Sequence, residues 1–278
     1  MMQYVNLAAG EKVPALGMGT WMMGDRSSAR QEEIKTLQRG IELGMRLIDT
    51  AEMYGEGASE TLVGEAIAGR REQVFLVSKV YPHNATRRGT VAACERSLTR
   101  LQTDCIDLYL LHWRGNASFS DTIAGFDELQ RAGKIRHWGV SNLDPADMTE
   151  LHAAPGGQRV AANQVLFNLS RRGVEWDLLP WCVDHRIPVM AYSPIEQARL
   201  LRHKGLIELA IRIDVTPAQL ALAWVLSHEQ VIAIPKAGSC AHVEDNFRAL
   251  ECPLDAGIHT ELDALFPPPQ RAKPLEMI

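Results

Sequence analysis

The chain has 278 residues, 46% of them apolar and 23% charged, and 29 basic against 34 acidic side chains give a net charge of −5. That balance suits a soluble globular protein and lacks the basic stripe a nucleic-acid surface needs, so DNA and RNA are not expected partners. Five scattered cysteines, odd in number and never spaced C-x-x-C, point to a reduced cytoplasmic protein without disulfide frame or zinc cluster, and no metal site is expected.

The first dozen residues lack a charged segment followed by an apolar stretch, so no secretory signal is read there. Tyr4-Val5-Asn6-Leu7 and Val13-Pro14-Ala15 flank Ala8-Ala9-Gly10 and read as a hairpin. A short strand is expected near Leu16-Gly17-Met18. Ile34, Leu37 and Ile41 form a helical stripe that Gly44 stops. Ser59-Glu60 opens a helix with negative charge in its first turn, which favours the helix dipole. Val91, Cys94, Leu98 and Leu101 form a second stripe. Asp144-Pro145 and Thr216-Pro217 each set a capping side chain before a proline at the first helical position. The most apolar helical stretch, residues 220–226, is far short of the ~20 residues of a membrane span, so no membrane is expected. A last helix begins near Cys240.

Between these helices, seven apolar runs end at a polar side chain. MRLID ends at Asp49, VFLVSK at Lys79, IDLYLLH at His112, HWGVSN at Asn142, VAANQ at Gln164, VMAYS at Ser193 and VIAIPK at Lys236. Continuous apolar runs are the mark of parallel strands covered on both faces. With the strand near residue 17 they make eight βα units, which predicts one (β/α)8 barrel over residues 1–278, its amino-terminal mouth plugged by the hairpin. A doubly wound open sheet is the competing topology. Gly17-Met18-Gly19 lacks the third glycine of a Rossmann fingerprint, which favours the closed barrel. In a barrel the carboxyl ends of all strands meet on one face, where such folds do chemistry.

Asp49, Tyr54, Lys79 and His112 carry a specific chemistry on that face. A tyrosine hydroxyl ordinarily titrates near ~10, and a buried lysine beside it favours the phenolate and lowers that value, making a usable general acid. Asp49 holds the lysine charged. A neutral histidine donates a hydrogen bond to a carbonyl oxygen and orients it. Singly, these residues read as a loop tyrosine, a solvated strand end, a core histidine and a turn cap. Together at the ends of three strands they suit reduction of an aldehyde or ketone.

The motifs at these positions, D-T-A-E-M-Y-G from Asp49, V-S-K to Lys79, L-L-H-W from Leu110, G-V-S-N from Gly139, N-Q-V from Asn163 and I-P-K to Lys236, resemble the aldo-keto reductase family over nearly the whole chain, most closely its bacterial methylglyoxal-reducing members. The resemblance implies that Asp49, Tyr54, Lys79 and His112 are the catalytic tetrad, with Tyr54 the proton donor. It places Ser141, Asn142 and Gln164 at the nicotinamide carboxamide. Tyr192, followed by Ser193 and Pro194, falls against the nicotinamide ring, with Ile195 where leucine is common. Gly19, Thr20 and Trp21 contact the cofactor, which Asp49 also borders. Lys236 and Ser239 fall at the 2′-phosphate of NADPH, and Asp245 and Asn246 near the adenine. His242 stands where the family usually has arginine. A histidine is only partly charged near neutrality, which weakens the NADPH preference and leaves room for NADH.

Trp21, Tyr81 and Trp113 are expected to wall a substrate pocket beside Tyr54 and His112. Residues 196–214 look short for both a loop over the cofactor and a helix, and a cofactor-clamping role is not assigned to them; Arg199 and Arg202 read as solvated. The tail from Pro267 reads as too short to close over the pocket. The expected protein is thus a monomeric cytoplasmic NADPH-dependent reductase of small aldehydes, possessing a small-molecule carbonyl substrate as its partner. Two rivals come from other classes: a cofactor-binding regulatory protein on the same fold, and a Schiff-base lyase using Lys79.

Overall fold

The computed structural model describes residues 2–8 and 10–278; Ala9, at the centre of the predicted hairpin turn, lies outside the described residues. In chain order the elements are β1 (Tyr4–Asn6), β2 (Lys12–Pro14), β3 (Met18–Gly19), α1 (Arg30–Leu43), β4 (Leu47–Asp49), α2 (Ala58–Ile67), β5 (Phe75–Val80), α3 (Arg87–Leu101), β6 (Ile106–Leu111) and α4 (Phe119–Arg131). They continue with β7 (Ile135–Ser141), α5 (Pro145–Ala153), β8 (Asn163–Leu166), α6 (Leu178–Asp184), β9 (Val189–Tyr192), α7 (Lys204–Arg212), α8 (Pro217–Leu226), β10 (Val231–Ala233), α9 (Cys240–Arg248) and α10 (Ala256–Leu265). Strands β3 to β10 lie side by side in sequence order, each pair parallel. Backbone bonds from Gly17 to Ala233, Ala233 to Ala15 and Gly19 to Pro235 join first to last, so the sheet closes. That closure decides for the (β/α)8 barrel over the open sheet. Gly19 sits at the seam: a Cβ there would lie 2.7 Å from the Ile234 carbonyl oxygen.

The helices begin and end where local chemistry dictates. Asp144 and Thr216 each accept a backbone N–H three residues on, and Gln219 returns the bond to Thr216 in a capping box. Gly44 ends α1 at φ 101°, a conformation a side chain would disfavour. Helix α8 is buried along almost its whole length, which explains its unbroken apolar sequence. Among the described residues, no single helix is long and apolar enough to cross a membrane.

The hairpin pairs Tyr4 with Pro14 and Asn6 with Lys12, and buries Val5, Leu7 and Val13. Glu11 accepts from Arg136 and pairs with His137 at the amino end of β7, while Arg136 and Arg71 both reach the buried Asp107 at the amino end of β6. These links seat the hairpin on the amino-terminal mouth, opposite the strand ends named above.

Two sequence expectations change in detail. Gln164 does not end its strand: Asn163 and Gln164 open β8, which continues through Val165 and Leu166. Successive side chains of a strand face opposite ways, and each amide nitrogen is buried with a partner: Gln164 on Asp49 inside the barrel, Asn163 on Leu143 O on the other face. Glu60 is more than a dipole partner. Its fully buried carboxylate accepts from Ser78 Oγ and Arg100 Nε, both at 2.6 Å, and so braces β5 next to Lys79. Removing one partner of a buried ion pair strands the other charge. Arg100→Ala is therefore expected to lower stability by about 3 kcal/mol, read as a fall in the urea midpoint at unchanged slope.

Candidate active site

Asp49 ends β4, Lys79 lies one residue inside the end of β5, and His112 follows β6 directly. Tyr54 is delivered by the loop after β4, where Tyr54–Gly57 makes a single tight turn. The Lys79 ammonium is wholly buried, and its three protons have three acceptors: Asp49 Oδ2 at 2.8 Å, Thr50 O at 2.9 Å and Tyr54 Oη at 3.1 Å. Because Lys79 donates into the phenol oxygen, the tyrosine's own proton is left to point elsewhere. The Tyr54 ring meets His112 edge-on with centroids 5.8 Å apart, and Trp21 at 5.1 Å.

Burial pushes the Tyr54 hydroxyl above its ordinary pKa, and the nearby Lys79 charge only partly offsets it. The expected lowering by lysine is present as a contribution but does not win, because the phenol is dry. Tyr54 therefore stays protonated at neutral pH, the state in which it can give a proton. Burial pulls the Lys79 ammonium down, yet Asp49 and Tyr54 together reverse this and hold it above its ordinary value. A charged amine with all three protons engaged is no Schiff-base nucleophile, which argues against the lyase reading.

His112 is lowered to about 2, first by burial and then by Lys79, so its imidazole is neutral. Its Nδ1 is buried without a partner, which favours placing the ring proton on Nε2.

These side chains open on one cavity of about 690 Å³. Gly19, Thr20, Trp21, Asp49, Tyr54 and His112 line one end, where Trp113, Met22 and Met53 add apolar wall. Ser141, Asn142, Gln164 and Tyr192 line its middle as one bonded set. Ser141 Oγ donates to the Gln164 carbonyl at 2.8 Å, Asn142 Nδ2 donates to Ser141 Oγ and to the His112 carbonyl, and the Tyr192 hydroxyl donates to Asn142 Oδ1 at 3.0 Å. Ser193, Pro194, Ile195, Lys236, His242, Asp245 and Asn246 line it as well.

Three expected site residues, Lys79, Tyr81 and Ser239, stand outside the lining, with Lys79 wholly buried behind Asp49 and Tyr54. Tyr81 packs behind it, against His83 and Trp113, with its backbone N–H given to Glu52. Ser239 caps α9 by accepting the His242 N–H, which leaves its own O–H as a donor. Asp245 lines the cavity but its carboxylate is tied to Thr216 and Gln219 at the start of α8.

Two segments do more than the sequence suggests. Gln197, Ala198 and Leu201 line the cavity, so the stretch after Ser193 does cover it. Arg199 pairs with Glu196 and stays exposed, and Arg202 lies outside the lining, as solvated side chains should. The carboxyl-terminal tail also reaches the cavity, where Met277 and Ile278 join the lining. Its anchor is Arg171, which binds the buried Glu196 through Nε and Nη2 and Glu276 through Nη1 at 2.6 Å. No local pattern announces a contact between residues 105 positions apart.

The model of the Aldo/keto reductase family matches residues 15–266. The chain is 51% identical over 280 aligned positions to methylglyoxal reductase YeaE of Escherichia coli, covering 99% of this chain and 98% of that protein. It is 32% identical to a glyoxal reductase of Bacillus subtilis, covering 94% and 92%. Among solved structures, an aldo/keto reductase of Klebsiella pneumoniae in complex with NADP and acetate superposes with a TM-score of 0.97 at 48% identity, each chain covered completely. The chain belongs to the aldo/keto reductase family.

The neutral state of His112 carries a stability signature. Unfolded, the ring titrates near its ordinary 6.5, so between 6.5 and about 2 the unfolded chain binds the extra proton. The contribution is complete above pH 6.5 and is lost as pH falls through that window. Between pH 7 and pH 5 the wild type should lose about 2 kcal/mol more stability than His112→Asn, measured by urea unfolding of both at each pH.

Proposed function

We propose that this chain reduces aldehydes to alcohols with NADPH, with Tyr54 giving the proton to the carbonyl oxygen and His112 Nε2 orienting that oxygen by a hydrogen bond. The observation that carries the reading is the buried Lys79 ammonium, which donates to the Tyr54 oxygen at 3.1 Å and is held by Asp49 at 2.8 Å, just behind the cavity wall that Tyr54 and Asp49 line. An acid so placed keeps its proton until charge develops on the substrate oxygen, and Lys79 then steadies the phenolate left behind.

The residues fit the cofactor. Only an amide nitrogen can face the Asp49 carboxylate, so Gln164 keeps its carbonyl oxygen free as an acceptor, while Ser141 and Asn142 bring hydroxyl and amide groups to the same stretch of wall. Tyr192 supplies a flat face nearby, and Lys236 and His242 supply basic side chains suited to a phosphate. Bound there, NADPH would supply the hydride. The K. pneumoniae neighbour was crystallised with NADP.

The substrate end argues for a small uncharged carbonyl compound. Trp21, Met22, Met53, Trp113, Met277 and Ile278 line the cavity, and the His112 beside Tyr54 is neutral, so no cationic lining side chain adjoins the acid. Such walls favour 2-oxoaldehydes over anionic keto acids, in keeping with the methylglyoxal and glyoxal reductases among the relatives. We read the enzyme as a cytoplasmic monomer. The bonds that Lys79 makes to Asp49 and Tyr54 favour turnover over a purely cofactor-binding regulatory role.

NADPH absorbance with methylglyoxal tests the reading: Tyr54→Phe should cut kcat by about a thousandfold while NADPH affinity, followed by fluorescence, stays nearly constant. A phenylalanine variant that turns over like the wild type removes Tyr54 from the role of acid. At the other end, His242→Arg should tighten NADPH several-fold and leave NADH unchanged, because a guanidinium grips a phosphate with two bonds. Equal tightening of both cofactors would mean that the 2′-phosphate is not read at this position.

A further inference from the structure

Gln164 faces two ways. Its Nε2 donates to Asp49 Oδ1 at 2.7 Å, with both side chains almost fully buried, while Lys79 occupies the other oxygen of the same carboxylate. A role confined to the cofactor's carboxamide gives no reason for this contact. The neighbouring members of that set, Ser141 and Asn142, bond only to each other, to Tyr192 and to backbone carbonyls. Of this set, Gln164 alone bonds to a tetrad side chain; Asn142 reaches only the His112 backbone.

We propose that Gln164 is a positioning residue for proton transfer, orienting Asp49 and drawing its charge away from Tyr54. This rests on the reading of Tyr54 as the acid. The Asp49 carboxylate acts on Tyr54 in two opposed ways: it holds Lys79, which favours the phenolate, and its own negative charge disfavours it. An N–H on Oδ1 tempers the second effect and turns Oδ2 toward Lys79. Without that donor, the carboxylate's charge bears on Tyr54 undiminished and the phenolate becomes harder to form.

The test follows alcohol oxidation at saturating NADP⁺, the direction in which Tyr54 must be deprotonated to accept a proton. In Gln164→Met the kcat limb belonging to Tyr54 should move up by about one pH unit, because a hydrogen bond to an ionised group is lost. Cofactor affinity is read separately by fluorescence titration, which also reports that the pocket is formed. The second variant, Gln164→Glu, keeps the chain length but can donate to Asp49 only when protonated. Its kcat should gain a new limb and rise, relative to the wild type, as pH falls. Limbs at the wild-type position in both variants, with only weaker cofactor binding, would overturn the proposal and leave Gln164 as a carboxamide ligand alone. A wild type that turns over no alcohol or aldehyde would instead overturn the reductase reading, and this proposal with it.

Discussion

The buried pair of Lys79 and Asp49 is the constraint around which this face of the barrel is arranged. An ammonium taken wholly out of water costs several kcal/mol unless its charge and all its protons are met, and a lone carboxylate would leave two protons unmet. Thr50 O and Tyr54 Oη complete the set. That requirement fixes where the loop after β4 must run, since Thr50 and Tyr54 both lie on it. It also explains the bracing nearby: Glu60 grips Ser78, the residue before Lys79, and is itself gripped by Arg100. An acid, its ammonium neighbour and the barrel register are therefore one arrangement. Register pairs Asp49 with Val77 across β4 and β5, which sets Lys79 just beyond.

The same face holds much of the chain's unusual backbone. Met22, Asn142, Ser193, Gln197 and Ala198 all have positive φ without being glycine, and all line the cavity. Such conformations cost free energy and persist where surrounding structure over-determines them. At Asn142 the determining contacts are clear: its amide bridges the His112 carbonyl, Ser141 and Tyr192, three elements of the barrel at once. The left-handed turn is what lets one short side chain reach them all.

The barrel and most of its working side chains were legible in the sequence because they obey short-range rules. Continuous apolar runs announce parallel strands, a polar residue closing a run announces the strand's carboxyl end, and proline after Asp144 or Thr216 announces a helix start. Tyr54, Lys79 and His112 could be grouped because the barrel brings strand ends together whatever the details. What escaped depends on distance or competition. Gln164 looked like a strand end because its inward side chain finds a buried carboxylate that only the closed barrel supplies. Ser239 also caps α9, accepting the His242 N–H, a role compatible with donating its O–H elsewhere. Tyr81 is aromatic and near the site, yet its ring is claimed by Trp113 and His83. The sign of the Tyr54 shift is a contest between burial and a neighbouring charge, and no string of letters gives the depth of burial.

The two coverings of the cavity, residues 196–201 and the carboxyl-terminal tail, both end on the Arg171 guanidinium. A cation shared by two carboxylates from separate segments makes their excursions interdependent. Freeing Glu276 leaves Arg171 to Glu196 alone, and freeing Glu196 exposes a carboxylate otherwise buried against Asn168 and Arg171. Replacing Arg171 would therefore untie both segments in a single change, whereas replacing either carboxylate would untie one.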